Sequence, residues 1–302
     1  MVYRATDRLY ATTDQKFSVV SCVGCGLIRL APQPPSDELS RYYPAEYWHD
    51  GAHDAAGRME EVYRRFVLMD HLRFVERALR DADETGLVLD VGCGGGLFLH
   101  LLAERGIPVI GLDFSLSAAS VSWRVNGVPT VCGSLSRPPF PPGSCAAVTM
   151  FHVLEHLYDP AAYVEAAHEL LRPEGRLIVQ VPNAASWQFL LFGEAWNGLD
   201  VPRHLFDFRA SDLETLLEAC GFEVMRRKHF SLRDNPAGFA TSLAPWLDPM
   251  ARRVRRAGET PRARLAKDLL YFLIVLAALP FTLMEAGCRA GSTIMIEARK
   301  RS

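Results

Sequence analysis

Two carboxylates and a run of glycines are the first residues in this chain with chemistry in them. Leu87 to Leu97 reads LVLDVGCGGGL, which sets Asp90 two residues before Gly92 and follows it with Gly94, Gly95 and Gly96. A second acid, Asp113, closes the apolar run Val109 to Leu112. Glycines let backbone turn sharply and approach a ligand with no Cβ in the way. A dinucleotide loop needs a third glycine where Leu97 stands, and a phosphate loop needs a Gly-Lys-Ser/Thr ending. Neither is present, and no Lys or Arg lies between Asp90 and Leu97 to neutralise phosphate. A carboxylate ahead of the glycines suits an ammonium. One at the end of the second strand suits a ribose diol, which donates two hydrogen bonds to it.

Three further constellations carry reactive groups. His152-Val-Leu-Glu155-His156 has the bare pattern of an inverted zinc-peptidase motif. That chemistry needs both histidines on one face of a sustained helix, whereas Asp159-Pro160 restarts the chain almost at once. Trp196, Asp200, Arg203 and His204 share a polar loop and offer an apolar wall, an anion clamp and a base. The plain alternative for His204 is a cap on the helix that starts at Ser211. Cys22 and Cys25 form one knuckle of a zinc ribbon without a second CxxC, and His49 and His53 could complete a set by spacing alone. We expect no metal centre.

The elements that must position these groups alternate. Strand, glycine loop and helix at Leu87 to Glu104 open a doubly wound α/β domain, whose ligand sits at the carboxyl ends of the strands. Further strands are expected at Val109–Leu112, Thr130–Cys132, Cys145–Phe151, Arg176–Val181, Gly221–Arg226 and Thr293–Ala298, seven in all. Helices are expected at Ser115–Val125, Ala161–Leu171 and Ser211–Cys220. Ahead of the sheet, Val62, Phe66, Met69, Leu72, Val75 and Leu79 recur at helical spacing, so the domain boundary falls near residue 58. Residues 1–58 read as a zinc-ribbon-like cap over a domain at 59–302.

At 302 residues, 49% hydrophobic and 23% charged, the chain can bury one large core or a core plus a small appendage. A net charge of -2 argues against a nucleic-acid binder. Charged residues interrupt every apolar run near the N-terminus, so no signal peptide is expected there. The 7 scattered cysteines point to reduced thiols and a cytoplasmic setting.

Taken together, LVLDVGCGGGL, Asp113, FHVLEHLYDP and LRPEGRLIVQVPN, in that order, resemble the class I S-adenosylmethionine-dependent methyltransferases. The resemblance covers most of the chain from about residue 17. It includes an N-terminal CxxC segment and a DxPRHL loop found in one bacterial group similar to quinone-type O-methyltransferases. It implies a seven-stranded Rossmann-like sheet with the last strand antiparallel. Its cofactor, S-adenosylmethionine, would meet Asp90, Gly92, Cys93, Gly94, Gly96, Asp113, Phe114, Ser134, Leu135 and Phe151. A small-molecule acceptor would meet His152, Glu155, Trp196 and Arg203, with His204 or else His156 taking a hydroxyl proton. Resemblance to the quinone enzymes would also allow Glu155 and His156 to bind a divalent ion. One departure is Ala146, where the family usually has Asp at the start of the fourth strand.

Residues 231–290 interrupt the domain before its last strand. Seven basic residues lie within 251–267 (Arg252, Arg253, Arg255, Arg256, Arg262, Arg264 and Lys267), with Glu259 the single acid. The run from Leu269 to Met284 is uncharged but for its flanks and falls short of the ~20 residues that cross a bilayer. A helix or lid buried on the core is the first reading, and peripheral membrane contact through 251–284 the second. The rivals overall are an NAD-binding oxidoreductase, a zinc peptidase and a non-catalytic scaffold that keeps the fold. The last would account for Ala146 and the unpaired knuckle.

Overall fold

The computed structural model describes residues 2–43, 55–83, 85–255 and 258–301. His49, His53 and Arg256 lie outside the described residues, so the histidine half of a Cys2His2 set is not described. The chain begins with three short strands, β1 (Tyr3–Ala5), β2 (Phe17–Ser21) and β3 (Ile28–Leu30), followed by helix α1 (Ala55–Asp81). The alternation then runs β4 (Leu87–Val91), α2 (Leu97–Ala103), β5 (Val109–Asp113), α3 (Leu116–Asn126), β6 (Thr130–Cys132), β7 (Cys145–Phe151), α4 (Pro160–Leu170) and β8 (Leu171–Pro182). After α5 (Trp187–Phe192) come β9 (Phe206–Asp207), α6 (Ala210–Ala219) and β10 (Phe222–Lys228). Helices α7 (Asn235–Leu243), α8 (Pro249–Val254) and α9 (Pro261–Gly287) precede the last strand, β11 (Thr293–Lys300).

The main sheet has the order β10-β11-β8-β7-β4-β5-β6. Strand β11 runs antiparallel to both neighbours, and the inner pairs β8-β7, β7-β4, β4-β5 and β5-β6 are parallel. This is the doubly wound, seven-stranded sheet expected. Buried central strands explain why its segments read as unbroken apolar runs: every residue of β7 up to Met150 is buried. Local signals start the helices where expected. The Ser115 hydroxyl accepts from Ala118 N–H at the start of α3, and Asp159 does the same for Ala162 ahead of Pro160 in α4.

The N-terminal strands do not form a free-standing cap. They build a second sheet, β1-β2-β3-β9, whose last member comes from the loop after β8. Phe17, Val19, Leu30 and Tyr42 share one core cluster with Trp196, Leu199, Val201 and Leu205. Cys22 and Cys25 sit in the β2–β3 turn, both exposed. Backbone N–H groups of Cys25 and Gly24, with the Cys25 side chain, hold the Cys22 thiol below its usual range.

The insertion departs from its first reading. Helix α9 is 27 residues long and continues through Pro280. It starts eight residues ahead of the uncharged run, so it is long and apolar enough to cross a bilayer by length and composition, its most apolar 18-residue stretch having a mean hydropathy of 2.1. Nor is it a buried core helix: Leu265, Leu269, Phe272, Leu273, Leu276, Leu283 and Met284 are all exposed. Much of the apolar run faces outward.

Candidate active site

The cofactor cradle is built by the carboxyl ends of β4 and β5. Gly92, Gly94 and Gly96 all have positive φ, at 71°, 54° and 77°. A Cβ at Gly92 would lie 2.7 Å from Val153 Cγ2, and one at Gly96 2.2 Å from Ser122 Oγ. Both positions therefore admit only glycine, on conformation and on space. Gly94 N–H donates to Asp113 Oδ2 at 2.9 Å, and Ser115 N–H to Asp113 Oδ1 at 2.9 Å. Each oxygen keeps a lone pair, so the carboxylate is fixed in place and can still accept from a diol. Thr149 Oγ1 donates to Asp90 Oδ1 at 2.6 Å. Burial pushes the Asp90 carboxyl up to about 7 against that bond, which makes an arriving cation its natural partner.

The other residues expected at the cofactor have varied placements. Phe114 is exposed, with its ring 6.5 Å from that of Tyr43 at the end of the described N-terminal segment. Ser134 Oγ is 2.6 Å from Tyr163 Oη and half-buried. Phe151 packs edge-on between His71 and Phe98. The Cys93 thiol is buried and pushed up by that burial, which keeps it a neutral packing group. The Leu135 side chain is wholly inside the main core cluster, which leaves only its backbone to meet a ligand.

A second cluster follows β7. His152 has φ of 57°, which is rare for a residue with a Cβ and is found at functional sites. Its Nδ1 lies 3.1 Å from Glu155 Oε1, and its Nε2 is 2.8 Å from Gln180 Nε2 and 3.6 Å from Asp234 Oδ2. Burial opposes its charge, but Asp234 and then Glu155 outweigh burial and push the imidazole up to about 9. Glu155 is fully buried; His152, His156 and His204 hold its carboxyl below the usual range in spite of that burial. His156 Nδ1 is 3.0 Å from the Arg203 carbonyl and 3.0 Å from Tyr43 Oη. Burial, followed by the nearby His204, lowers it to about 4. His204 donates from Nδ1 to the Gly198 carbonyl at 2.7 Å, and its ring centre is 4.6 Å from that of His156. Donor atoms of Glu155, His156 and His204 lie within 4.8 Å of one another.

Arg203 and Trp196 are both buried and engaged by other protein groups. All five guanidinium N–H groups of Arg203 are taken: Nε and Nη2 by Asp200, Nη1 and Nη2 by Asp7, and Nη1 again by the Tyr42 carbonyl, at 2.6–3.2 Å. It also lies 4.4 Å from the Tyr10 ring centre. No donor remains for an anion, so Arg203 pins the N-terminal segment to this loop. Trp196 is buried against Phe189 in the same small core. Asp234, Gln180 and His71 were not anticipated. Asp234 comes from the insertion and Gln180 from β8, and no periodic or motif signal ties either to His152.

Residues 59–226, more than half of the chain, match the methyltransferase domain family. The chain belongs to that family. Its methyltransferase domain is 37% identical over 141 residues to a probable S-adenosylmethionine-dependent methyltransferase of Mycolicibacterium smegmatis, covering 45% of this chain and 52% of the relative. It is 32% identical over 149 residues to a ubiquinone biosynthesis O-methyltransferase of Pseudomonas paraeruginosa, covering 45% of this chain and 64% of that one. The matches thus span between half and two thirds of these curated relatives. Among solved structures, a putative sarcosine dimethylglycine methyltransferase of Galdieria sulphuraria aligns with a TM-score of 0.53 at 14% identity, over 88% of this chain and 99% of that one. A Burkholderia thailandensis 1,6-didemethyltoxoflavin-N1-methyltransferase aligns with a TM-score of 0.50 at 16% identity, over 93% and 98% of the two chains. These likenesses share the Rossmann-like fold. The cofactor of the methyltransferase domain is S-adenosylmethionine.

Proposed function

We propose that the chain transfers a methyl group from S-adenosylmethionine to a hydroxyl oxygen of an apolar small molecule, with His204 accepting the proton. The observation that carries this reading is the His204 tautomer. Its Nδ1–H is given to the Gly198 carbonyl, so Nε2 keeps the lone pair a base needs. When bound, the sulfonium supplies an electrophilic methyl. Asp90 and Asp113 would hold the ammonium and the ribose, while the loop glycines would let the backbone come close. His204 Nε2 would take the O–H proton of the acceptor while the site holds that oxygen toward the methyl group. His152, charged between Asp234 and Glu155, shapes the acceptor side of the site. Peripheral contact with a lipid surface through 251–284 would suit an apolar or lipid-linked acceptor, and the seven free thiols suit a reducing, cytoplasmic setting.

The closeness of the Glu155, His156 and His204 donors favours a second reading. A divalent cation there would act as a Lewis acid on the acceptor hydroxyl, and neutral His156 suits ligation. Both readings meet in one experiment: incubation with methyl-labelled S-adenosylmethionine and a panel of phenols and polar amines, with and without a chelator. Label on the oxygen of apolar phenols, indifferent to chelation, is the expected result. Chelator-sensitive transfer to oxygen would favour the cation. Label on nitrogen would overturn both.

A further inference from the structure

Helix α9 is amphipathic in the reverse sense for a helix of a water-soluble domain. Its inward face carries Tyr271, Thr282 and Glu285 beside Val275 and Ala278. Its outward face carries Leu265, Leu269, Phe272, Leu273, Leu276, Leu283 and Met284, between 44% and 71% exposed. An apolar stripe along a helix of about 40 Å is far beyond scattered surface leucines, and such patches mark interaction sites. Neighbouring elements add to it: Leu190 and Leu191 on α5, Leu243 at the end of α7, and Trp246 just beyond are exposed too. The rings of Trp187, Phe281 and Phe239 hold α5, α7 and α9 together.

Building on the lipid contact proposed above, we propose that α9 lies flat in the headgroup layer of an anionic membrane, its outward face in the acyl boundary, as a monotopic dock for the methyltransferase domain. The polar contacts of its inward face rule against a spanning helix. Asp268 pairs with Arg252 near one end. Tyr271 Oη is 2.9 Å from Thr241 Oγ1 and donates to the Ala237 carbonyl at 3.3 Å. Near the other end, Glu285 Oε1 accepts from Gln188 at 2.7 Å and from Ser292 N–H at 3.3 Å. Spanning would tear these apart along the whole helix and carry Asp268 and Glu285 into hydrocarbon, which is costly for charged groups.

Charge selects lipid over a second copy of the chain. Exposed Arg262 and Arg264 flank one end of the stripe and exposed Arg289 the other. Headgroup phosphates complement both ends at once. Two copies stacked on this face bring cationic ends together in either orientation, parallel or antiparallel.

The test is flotation of the full chain with vesicles of phosphatidylcholine and phosphatidylglycerol, beside the variant Leu273→Asp/Leu276→Asp. The chain should float on anionic vesicles, less so at high salt, and carbonate should release it. The variant should partition about tenfold or more weakly, with unchanged thermal midpoint and unchanged affinity for S-adenosylmethionine. A chain that stays behind as a dimer, which the variant dissociates, would overturn the lipid assignment in favour of a second copy. Resistance to carbonate would overturn the flat orientation. Methyl transfer to a water-soluble phenol, measured without vesicles, reads the functional proposal separately. Its failure alone leaves docking supported, and failed flotation with transfer intact sinks docking alone.

Discussion

Replacing Arg203 with Met should lower folding stability by about 3–5 kcal/mol, the cost expected when one partner of a buried ion-paired group is removed. Met keeps an unbranched apolar stem but leaves Asp7 and Asp200 facing each other without a cation. Asp7 is fully buried in its side chain, and Arg203 holds its carboxyl below the usual range in spite of that burial. Since Asp7 and Tyr42 belong to the N-terminal segment and Asp200 to the loop after β8, the loss should also loosen the second sheet. Urea unfolding of the two proteins measures it. Neutralising all three residues together should recover much of the loss, because the penalty is mainly the stranded charge. A change within about 0.5 kcal/mol for the single variant would place Arg203 among ordinary surface groups and remove it as the tie between segment and domain.

Replacing His204 with Ala should cut turnover by about 10²–10⁴, the usual worth of general-base help, with the affinity for S-adenosylmethionine almost unchanged. The same change at His156 should cost less. That ring has its pKa lowered to about 4 by burial and then by His204, so it is the weaker proton acceptor of the two. The readout is initial rate at saturating acceptor and cofactor. If His204→Ala turns over normally and merely unfolds more readily, His204 is a tie for the Gly198 carbonyl, and positioning alone carries the reaction.

The main sheet was legible because its physics is local. Buried parallel strands are apolar throughout, and Asp90 and Asp113 end two of them at the ligand edge. The glycine loop was legible for the same reason, since positive φ and close packing can be met there only by residues without a Cβ. What was not legible depends on distant partners. Arg203 and Trp196 looked like ligand-facing groups because their loop is polar; Asp7, almost two hundred residues earlier, satisfies the arginine, and the N-terminal strands bury the tryptophan. Leu135 follows a strand end near the cofactor but turns into the core. Asp234 reached His152 from an insertion with no motif of its own. For α9 the sequence shows an uncharged, mostly apolar run, and composition alone cannot say which side faces the protein.

Isothermal titration of S-adenosylmethionine into the unaltered chain and into Asp113→Ala tests the central claim most directly. The account predicts one cofactor per chain, no binding of NAD, and affinity about tenfold or more weaker in the variant, since a charged hydrogen bond to the ribose is worth roughly 1.5–3 kcal/mol. NAD binding in place of S-adenosylmethionine, or equal affinity in the two proteins, would contradict it.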